Sequence, residues 1–316
     1  MSTPASLQAV DHAYAEQHRW KSAETALLQA IDLAPKSWAA HQGAASFYYS
    51  RADYAKSRRH YQEVVRLTPD NGQALNALGY LEYLGGDIAA AVASYAKSAD
   101  LGERRNPCPQ KAKSGQTTPA QSRLFVQFLP LSNLGELYLE SRDYERAEQY
   151  LQASIRCNEN WHTPWGLLGE TYLARGRGES ARLYFLKAKE HALSYLEVTS
   201  RNAATTAYLA GFLARLGETR AAETQLQRAL DIRSDNPRTL ARCGEVLFML
   251  GRQGEAETLL ARAVKAGFPL RVLRLKPGLV NLRDQDWSRI VGAAPSADRF
   301  PQALCAARLA RTSSIA

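Results

Sequence analysis

The chain has 316 residues, of which 45% are hydrophobic, and it carries a formal net charge of +9. No stretch approaches the length and apolarity of a membrane span. The first twenty residues contain charged side chains where a secretory signal would have a hydrophobic run. Composition therefore argues against an integral membrane protein and against a secreted one, and it predicts a cytoplasmic location.

One pattern of small and bulky residues returns along the chain. Its copies begin at Pro4, Trp38, Gly72, Phe128, His162, Ala203 and Pro237, and four of the six intervals are 34 residues. The first half of each copy holds a small residue at a fixed position, except in the first copy, where Asp11 stands at that position. The second half pairs a small residue with a bulky one four residues later, as in Ala181 and Phe185. Each copy therefore predicts two helices whose apolar stripes are buried by a neighbouring copy.

The clearest copy reads Trp165, Leu168, Gly169 and Tyr172 in its first half and Ala181, Phe185 and Ala188 in its second. This spacing resembles the tetratricopeptide repeat, a helix-turn-helix unit that stacks into a superhelix. The resemblance implies an all-α fold, a right-handed solenoid of about seven helix pairs with a C-terminal helical cap. It also implies a scaffold that binds another protein.

Two spacings exceed the repeat length. Residues 103–127, between the third and fourth copies, contain three prolines among polar residues, a composition that cannot bury a core. We expect an exposed, poorly ordered loop there. A smaller excess around 193–202 predicts an extra helical turn or a bent connection. The predicted organisation is repeats one to three in 1–102, the insertion in 103–127, repeats four to seven in 128–268, and a cap with a basic tail in 269–316.

The segment after Gly267 resembles the short helical close of repeat arrays attached to bacterial Ser/Thr kinases of eukaryotic type. The similarity rests on Ala266 to Pro269, Pro277 to Leu279 and Leu282 to Asp284. No Gly-rich loop and no His-Arg-Asp or Asp-Phe-Gly triplet is present. The resemblance therefore implies a bacterial relative of such an accessory array, without a kinase domain.

The excess positive charge lies outside the repeats. The insertion holds five basic residues and one acidic residue, and segment 269–316 holds eight basic and three acidic residues. In the repeats the numbers of basic and acidic residues are equal. The possible basic contacts are Arg104, Arg105, Lys111, Lys113 and Arg123. Such segments suit nucleic acid or an anionic surface. The alternative is that both segments are simply solvated.

In this repeat class the first helices line a concave groove, and positions 2, 5, 9 and 12 of a copy face it. Carried over to this sequence, these positions give Gln8, His12, Gln42, Ser46, Asn76, Tyr80, Tyr83, Ser132, Glu136, Glu170, Arg238 and Glu245. Glutamate recurs at position 9 in copies four, five and seven, which favours a basic partner segment in the back half. Ordinary surface glutamates are the alternative. A further hypothesis is that the basic insertion folds over Glu136 as an internal competitor.

Catalytic, cofactor and metal sites have no candidate residues. The six histidines show no ligand spacing, and no serine or lysine lies in a nucleophile or phosphate-loop motif. The cysteines are Cys108, Cys157, Cys243 and Cys305, and they lack paired spacing. The sequence therefore predicts reduced thiols and no enzyme.

Three functions stay open at this point. The first is a scaffold that holds a peptide or helix of another protein in the groove. The second is a nucleic-acid or anionic-surface binder that uses the basic insertion and tail, with a steep dependence on salt. The third is an accessory subunit of a signalling kinase or of an envelope or secretion assembly.

Overall fold

The computed structural model describes residues 20–105, 108 and 121–292. Every regular element in these ranges is a helix. The helices are α1 (Trp20–Leu33), α2 (Trp38–Ser50), α3 (Tyr54–Leu67), α4 (Gly72–Gly85), α5 (Ile88–Arg105), α6 (Gln121–Glu140), α7 (Tyr144–Cys157), α8 (His162–Ala174), α9 (Gly178–Val198), α10 (Ala203–Arg215), α11 (Thr219–Ile232), α12 (Pro237–Met249), α13 (Gln253–Lys265), α14 (Leu270–Leu273), the short 3₁₀ helix η1 (Pro277–Leu279) and α15 (Asp284–Gly292). The expected all-α solenoid is confirmed.

The helices pair in the predicted order. Five of the predicted copies begin at the first residue of a helix: Trp38, Gly72, His162, Ala203 and Pro237. At every one of these starts except His162, the side chain of the residue before the helix accepts a backbone N–H, as Asn71 does from Ala74 over 3.0 Å. The first half of the first copy lies outside the described residues. The seven extra residues after copy five lengthen α9, which has 21 residues against 14 in α7.

The two helices of a pair touch where the repeat places a small residue opposite a bulky one. A Cβ on Gly135 of α6 would lie 2.5 Å from Cγ of Leu151, which is fully buried in α7. Gly169 and Gly244 meet Phe185 and Leu260 in the same way. The absence of a side chain at these positions therefore sets how closely the paired helices approach.

Replacing Gly135 by alanine is expected to lower the free energy of unfolding by up to about 2 kcal/mol, because overpacking costs about 1–3 kcal/mol and the gain in helix propensity returns about 1 kcal/mol. Gly211 of α10 provides the matched control, since the nearest atom to its added Cβ would be 3.7 Å away. Gly211→Ala should stabilise the protein by up to about 1 kcal/mol. Urea denaturation of both variants measures the difference, and shifts of the same sign would contradict the packing argument.

The helices on both sides of the predicted insertion, 103–127, extend into it. Helix α5 continues through Arg105, and α6 begins at Gln121, seven residues before the predicted copy start at Phe128. Both neighbouring helices therefore extend into the segment that was expected to be loop. Residues 106, 107 and 109–120 lie outside the described residues.

Cys108 and Cys157 form a disulfide, with their Cα atoms 4.7 Å apart. The bond ties the insertion to the end of α7, so the prediction of reduced thiols is wrong for this pair. The sequence missed it because 49 residues separate the two cysteines and only the folded chain brings them together. Disulfides persist in oxidising compartments, which counts against the predicted cytoplasmic location. Cys243 is a free, buried thiol, and Cys305 lies outside the described residues.

Alkylation of the denatured, unreduced protein is expected to leave Cys108 and Cys157 unlabelled and to label Cys243. Peptide mass mapping before and after reduction measures this directly. Cys243 is the internal control, because its thiol reacts in both samples once the chain is unfolded. Labelling of Cys108 without a reductant would show that the pair is not bonded in the isolated protein.

The C-terminal segment after α13 covers the end of the solenoid. Val272, Leu273, Leu279, Trp287 and Ile290 are buried and belong to one hydrophobic cluster with side chains of α4, α6 and α12. A solenoid end exposes an apolar face that needs such a cover. The cap thus packs against repeats three, four and seven together.

Candidate functional site

The C-terminal part of the chain closes the concave face of the superhelix. Gly267, in the turn after α13, packs so tightly on the turn between α2 and α3 that a Cβ on it would lie 3.0 Å from Cβ of Ala52. Gly86, after α4, lies as close to the Arg271 side chain. The last repeat and the cap therefore contact repeats two and three, which are distant in sequence.

Lys276, between α14 and η1, places its ammonium group between two glutamates of α6. Nζ lies 2.7 Å from Oε1 of Glu136 and 3.1 Å from Oε1 of Glu140. Tyr83 of α4 donates its hydroxyl hydrogen to Glu140 over 2.8 Å. The side chain of Lys276 is 14% exposed and that of Glu140 is 2% exposed. These four residues, the Lys276 network, are largely shielded from water.

Burial and charge set the protonation of the Lys276 network. Burial raises the pKa of Glu140 to about 7, although Lys276 opposes this. Burial also acts to raise the pKa of Glu136, but the attraction and hydrogen bond of Lys276 outweigh it and hold that pKa below its ordinary value. Desolvation would lower the pKa of Lys276, yet the two carboxylates keep it well above its ordinary value. Glu136 and Lys276 are therefore the ionised pair, while Glu140 titrates near neutrality.

A second contact between the cap and the groove involves Glu245 of α12, which is buried. It accepts the backbone N–H of Gly278 over 3.1 Å and a hydrogen bond from Arg242 over 2.7 Å. A Cβ at position 278 would lie 2.6 Å from Cγ of Glu245, so glycine is needed for η1 to approach this closely. The Arg242 guanidinium also lies over the Tyr208 ring, 4.2 Å from its centroid.

The position 9 glutamates are all paired within the chain. Glu170 receives hydrogen bonds of 2.7 and 2.8 Å from Arg215, Glu136 contacts Lys276, and Glu245 contacts Arg242. The idea that their carboxylates stand free for a basic partner is therefore corrected. The groove does receive a basic side chain at Glu136, but that side chain belongs to the cap of the same chain.

The described residues of the insertion offer little free charge. Arg104 pairs with Asp100 at 2.9 Å, and Arg105 pairs with Asp70. Lys111, Lys113 and the side chain of Arg123 lie outside the described residues. The competitor over Glu136 is therefore Lys276, and no described insertion residue takes that place.

A cavity of about 380 Å³ remains on the concave side, between repeats two, three, six and seven. Tyrosine and arginine side chains dominate its walls. The charged and aromatic residues of this tyrosine–arginine cavity are Tyr49, Tyr54, Tyr80, Glu136, Arg201, Tyr208, Arg233, Arg238, Arg242, Glu245, Phe268 and Lys276. Its volume is typical of a pocket that admits a small ligand or a few side chains.

Arg238 spans the cavity from α12 towards α2 and α4. Its Nη1 donates to the hydroxyl of Tyr49 over 2.5 Å, and its guanidinium carbon lies 4.8 Å from the centroid of the Tyr80 ring. Within the described part of the chain, no carboxylate approaches Arg238 or Arg201 to within 4.0 Å. Both arginines are exposed. The rim therefore carries two guanidinium groups that, among the residues described, have no carboxylate partner at salt-bridge distance.

The predicted groove residues divide into several groups. Tyr80, Glu136, Arg238 and Glu245 line the cavity. Tyr83 and Ser132 are buried in the packing, and Asn76 accepts a hydrogen bond from Asn133. Ser46 is exposed, Gln42 is half-buried, and Gln8 and His12 lie outside the described residues.

Sequence reasoning missed eight of the charged and aromatic residues of the cavity: Tyr49, Tyr54, Arg201, Tyr208, Arg233, Arg242, Phe268 and Lys276. Two of them carried a usable signal, because Tyr208 and Arg242 hold the same position in copies six and seven, and Arg242 follows Arg238 by one helical turn. Lys276 carried no signal, since it lies in a basic segment without repeats.

The family comparison agrees with this architecture. A model described as tetratricopeptide repeat matches residues 48–105, 132–195 and 213–269, more than half of the chain. The chain belongs to the tetratricopeptide repeat family. A search of curated proteins gives no match.

Solved structures of other proteins share the fold of this tetratricopeptide repeat protein. PilW, a widely conserved type IV pilus biogenesis factor, is similar with a TM-score of 0.50 and 17% identity over 72% of this chain and 92% of that one. A tetratricopeptide repeat protein from Parabacteroides merdae ATCC 43184 has a TM-score of 0.51 and 15% identity over 87% of this chain and 98% of that one. At these identities the likeness concerns the fold alone.

None of the described helices combines the length and apolar composition that crossing a membrane requires. No group of three His, Cys, Asp or Glu side chains within the described ranges is arranged to hold a metal ion. The family and the fold thus support a protein-interaction scaffold in general terms.

Proposed function

We propose that this tetratricopeptide repeat protein is a non-catalytic scaffold that holds a short segment of another protein in the tyrosine–arginine cavity. The observation that carries the proposal is the cavity itself. It is a part of the concave face that the cap leaves open, since Lys276 and Gly278 occupy the neighbouring floor. Its walls come from paired helices that pack on both sides, so a ligand would meet a preformed surface.

The chemistry of the walls suits a peptide. Tyr49, Tyr54, Tyr80 and Tyr208 supply ring faces and hydroxyl groups, which give contact area and hydrogen bonds at a low cost in side-chain entropy. About 380 Å³ accommodates a few side chains and not a whole helix. An extended segment that inserts two or three side chains therefore fits best.

The cap illustrates how such a segment can bind. Between α14 and η1 the chain runs across α6 and α12, inserts Lys276 and donates the N–H of Gly278 to Glu245. The same combination of an inserted side chain and a backbone hydrogen bond would hold a partner beside it. The protein would position its partner, and no bond making is required of it.

A cavity-filling variant tests the proposal. Ala204 of α10 is exposed and lines the cavity mouth, so Ala204→Trp should block entry without removing any charge. Peptides selected on the wild type from a random heptapeptide display library are expected to lose at least about tenfold in affinity for Ala204→Trp. Fluorescence anisotropy with the selected peptides measures this loss.

Ala221→Trp is the matched control, because Ala221 is exposed on α11 and does not line the cavity. Its affinity for the same peptides should equal that of the wild type. Failure to select any peptide, or equal binding by both tryptophan variants, would refute binding in this cavity.

A further inference from the structure

We propose that the segment held in the tyrosine–arginine cavity is acidic, and that it places aspartate or glutamate side chains against Arg201 and Arg238. The inference rests on the proposed function and specifies the chemistry of the partner. It reverses the expectation from the groove glutamates, which favoured a basic partner. The reason lies in which charges of the cavity are already neutralised.

The charged side chains on the floor of the cavity neutralise one another. Glu136 holds Lys276 at 2.7 Å, and Glu245 holds Arg242 at 2.7 Å while it also accepts the N–H of Gly278. A basic ligand would have to displace one of these internal cations. The carboxylates therefore present no free negative charge to an incoming segment.

The positive charges of two arginines at the rim have no such partner among the described residues. Arg201 and Arg238 are exposed, and among residues 20–105, 108 and 121–292 neither has a carboxylate within 4.0 Å. Arg233, also at the rim, has Asp235 at 3.5 Å. The charge that remains available to a ligand is thus positive, and it lies on two exposed arginines that line the same cavity.

Arg238 is also held in a geometry that suits a carboxylate. A guanidinium group has five N–H donors, and the bond to the Tyr49 hydroxyl uses one nitrogen while the Tyr80 ring supports its plane. A planar fork that is already oriented loses little entropy when it forms two parallel hydrogen bonds to a carboxylate. Arg238 is therefore positioned as the anchor for an acidic side chain.

The helix starts around the cavity act in the same direction. Helices α10 and α12 begin at its wall, immediately after Asn202 and Asn236. The amino-terminal end of a helix carries partial positive charge, which adds to the attraction of the arginines for an anion. Arg201 directly precedes Asn202, so the formal positive charge of Arg201 and the partial positive charge at the start of α10 come from neighbouring residues.

The observations favour an acidic protein segment over nucleic acid. A phosphate backbone is bound by cations distributed along a surface, whereas these two arginines line a single cavity of about 380 Å³. Two exposed arginines can pair with one or two carboxylates, whereas a nucleic acid brings a longer run of phosphates than two cations can neutralise.

The test begins with the heptapeptides selected on the wild type and blocked by Ala204→Trp. Their content of Asp and Glu is compared with the starting library, and the tightest peptide is synthesised with its acids and with Asn and Gln in their place. Affinities are measured at low and moderate salt for wild type, Arg201→Gln, the double variant Arg201→Gln with Arg238→Gln, and Arg220→Gln. Arg220 is exposed on α11 away from the cavity. A hexathymidylate oligonucleotide is the second polyanion, and circular dichroism confirms folding.

The expected result is enrichment of acidic residues, with about a tenfold loss of affinity in the amide peptide and in the double variant. Arg201→Gln alone should give part of the loss, and Arg220→Gln should bind as the wild type does. Selected peptides that are neutral, yet still blocked by Ala204→Trp, would overturn the acidic partner and leave the proposed function standing. Oligonucleotide binding that depends on Arg201 and Arg238 and exceeds that of the acidic peptide would also overturn it. Failure to select any peptide would refute both.

Discussion

Replacement of Lys276 by methionine is expected to lower the free energy of unfolding by about 3 kcal/mol, because removal of one partner leaves buried charge uncompensated. Glu136 and Glu140 would then face each other in a site where Glu140 has a side-chain exposure of 2%. Methionine keeps the length of the side chain, so the loss is chiefly electrostatic. Urea denaturation at pH 7 measures the change.

The control and the rescue separate charge from packing. Lys265→Met removes an exposed lysine at the end of α13 and should leave stability within about 0.5 kcal/mol of the wild type. Adding Glu136→Gln and Glu140→Gln to Lys276→Met should recover most of the loss, since no buried charge remains. Equal midpoints for Lys276→Met and Lys265→Met would show that the Lys276 network contributes nothing to stability.

The stability of the wild type is expected to fall between about pH 5 and pH 8 relative to that of Glu140→Gln. Burial raises the pKa of Glu140 from 4.5 to about 7, so the folded state holds this proton more tightly than the unfolded state does. The resulting stabilisation is fully present below the unfolded pKa and is lost as the pH rises through 7. Its size is of the order of 3 kcal/mol.

The comparison with Glu140→Gln is needed because other groups titrate with the opposite sign. The pKa of Glu136 is held below its ordinary value, and burial lowers the pKa of His162 to about 3. Both groups add stability as the pH rises, in wild type and variant alike. Urea midpoints at several pH values therefore report Glu140 through their difference, and a constant difference from pH 5 to 8 would contradict the raised pKa.

Much of the fold could be predicted from the repeat. Gly169 opposite Phe185 and Gly244 opposite Leu260 are local signals, because a fixed spacing on two short helices decides which side chains meet. Helix starts such as Gly72 and Pro237 were likewise predictable from turn residues and register. Contacts of this kind involve neighbouring segments, so one sequence contains all the information they need.

The candidate site was only partly predictable. Position within the repeat predicts that Tyr80, Glu136 and Arg238 face the groove, and these three side chains line one cavity. It could not show that Lys276 reaches Glu136 across 140 residues or that Arg238 reaches Tyr49 across 189. Those contacts depend on the curvature that the repeats accumulate, and no local pattern encodes it.

The sequence by itself determined the helix pairs of copies two to seven and the faces they bury, because these follow from the periodicity of small and bulky residues. Only the tertiary structure decided which groove charges are free. It joins Cys108 to Cys157, pairs each position 9 glutamate with a cation of the chain, and leaves Arg201 and Arg238 exposed. The physical reason is that charge compensation depends on distance in space, and the superhelix brings together residues that the sequence keeps far apart.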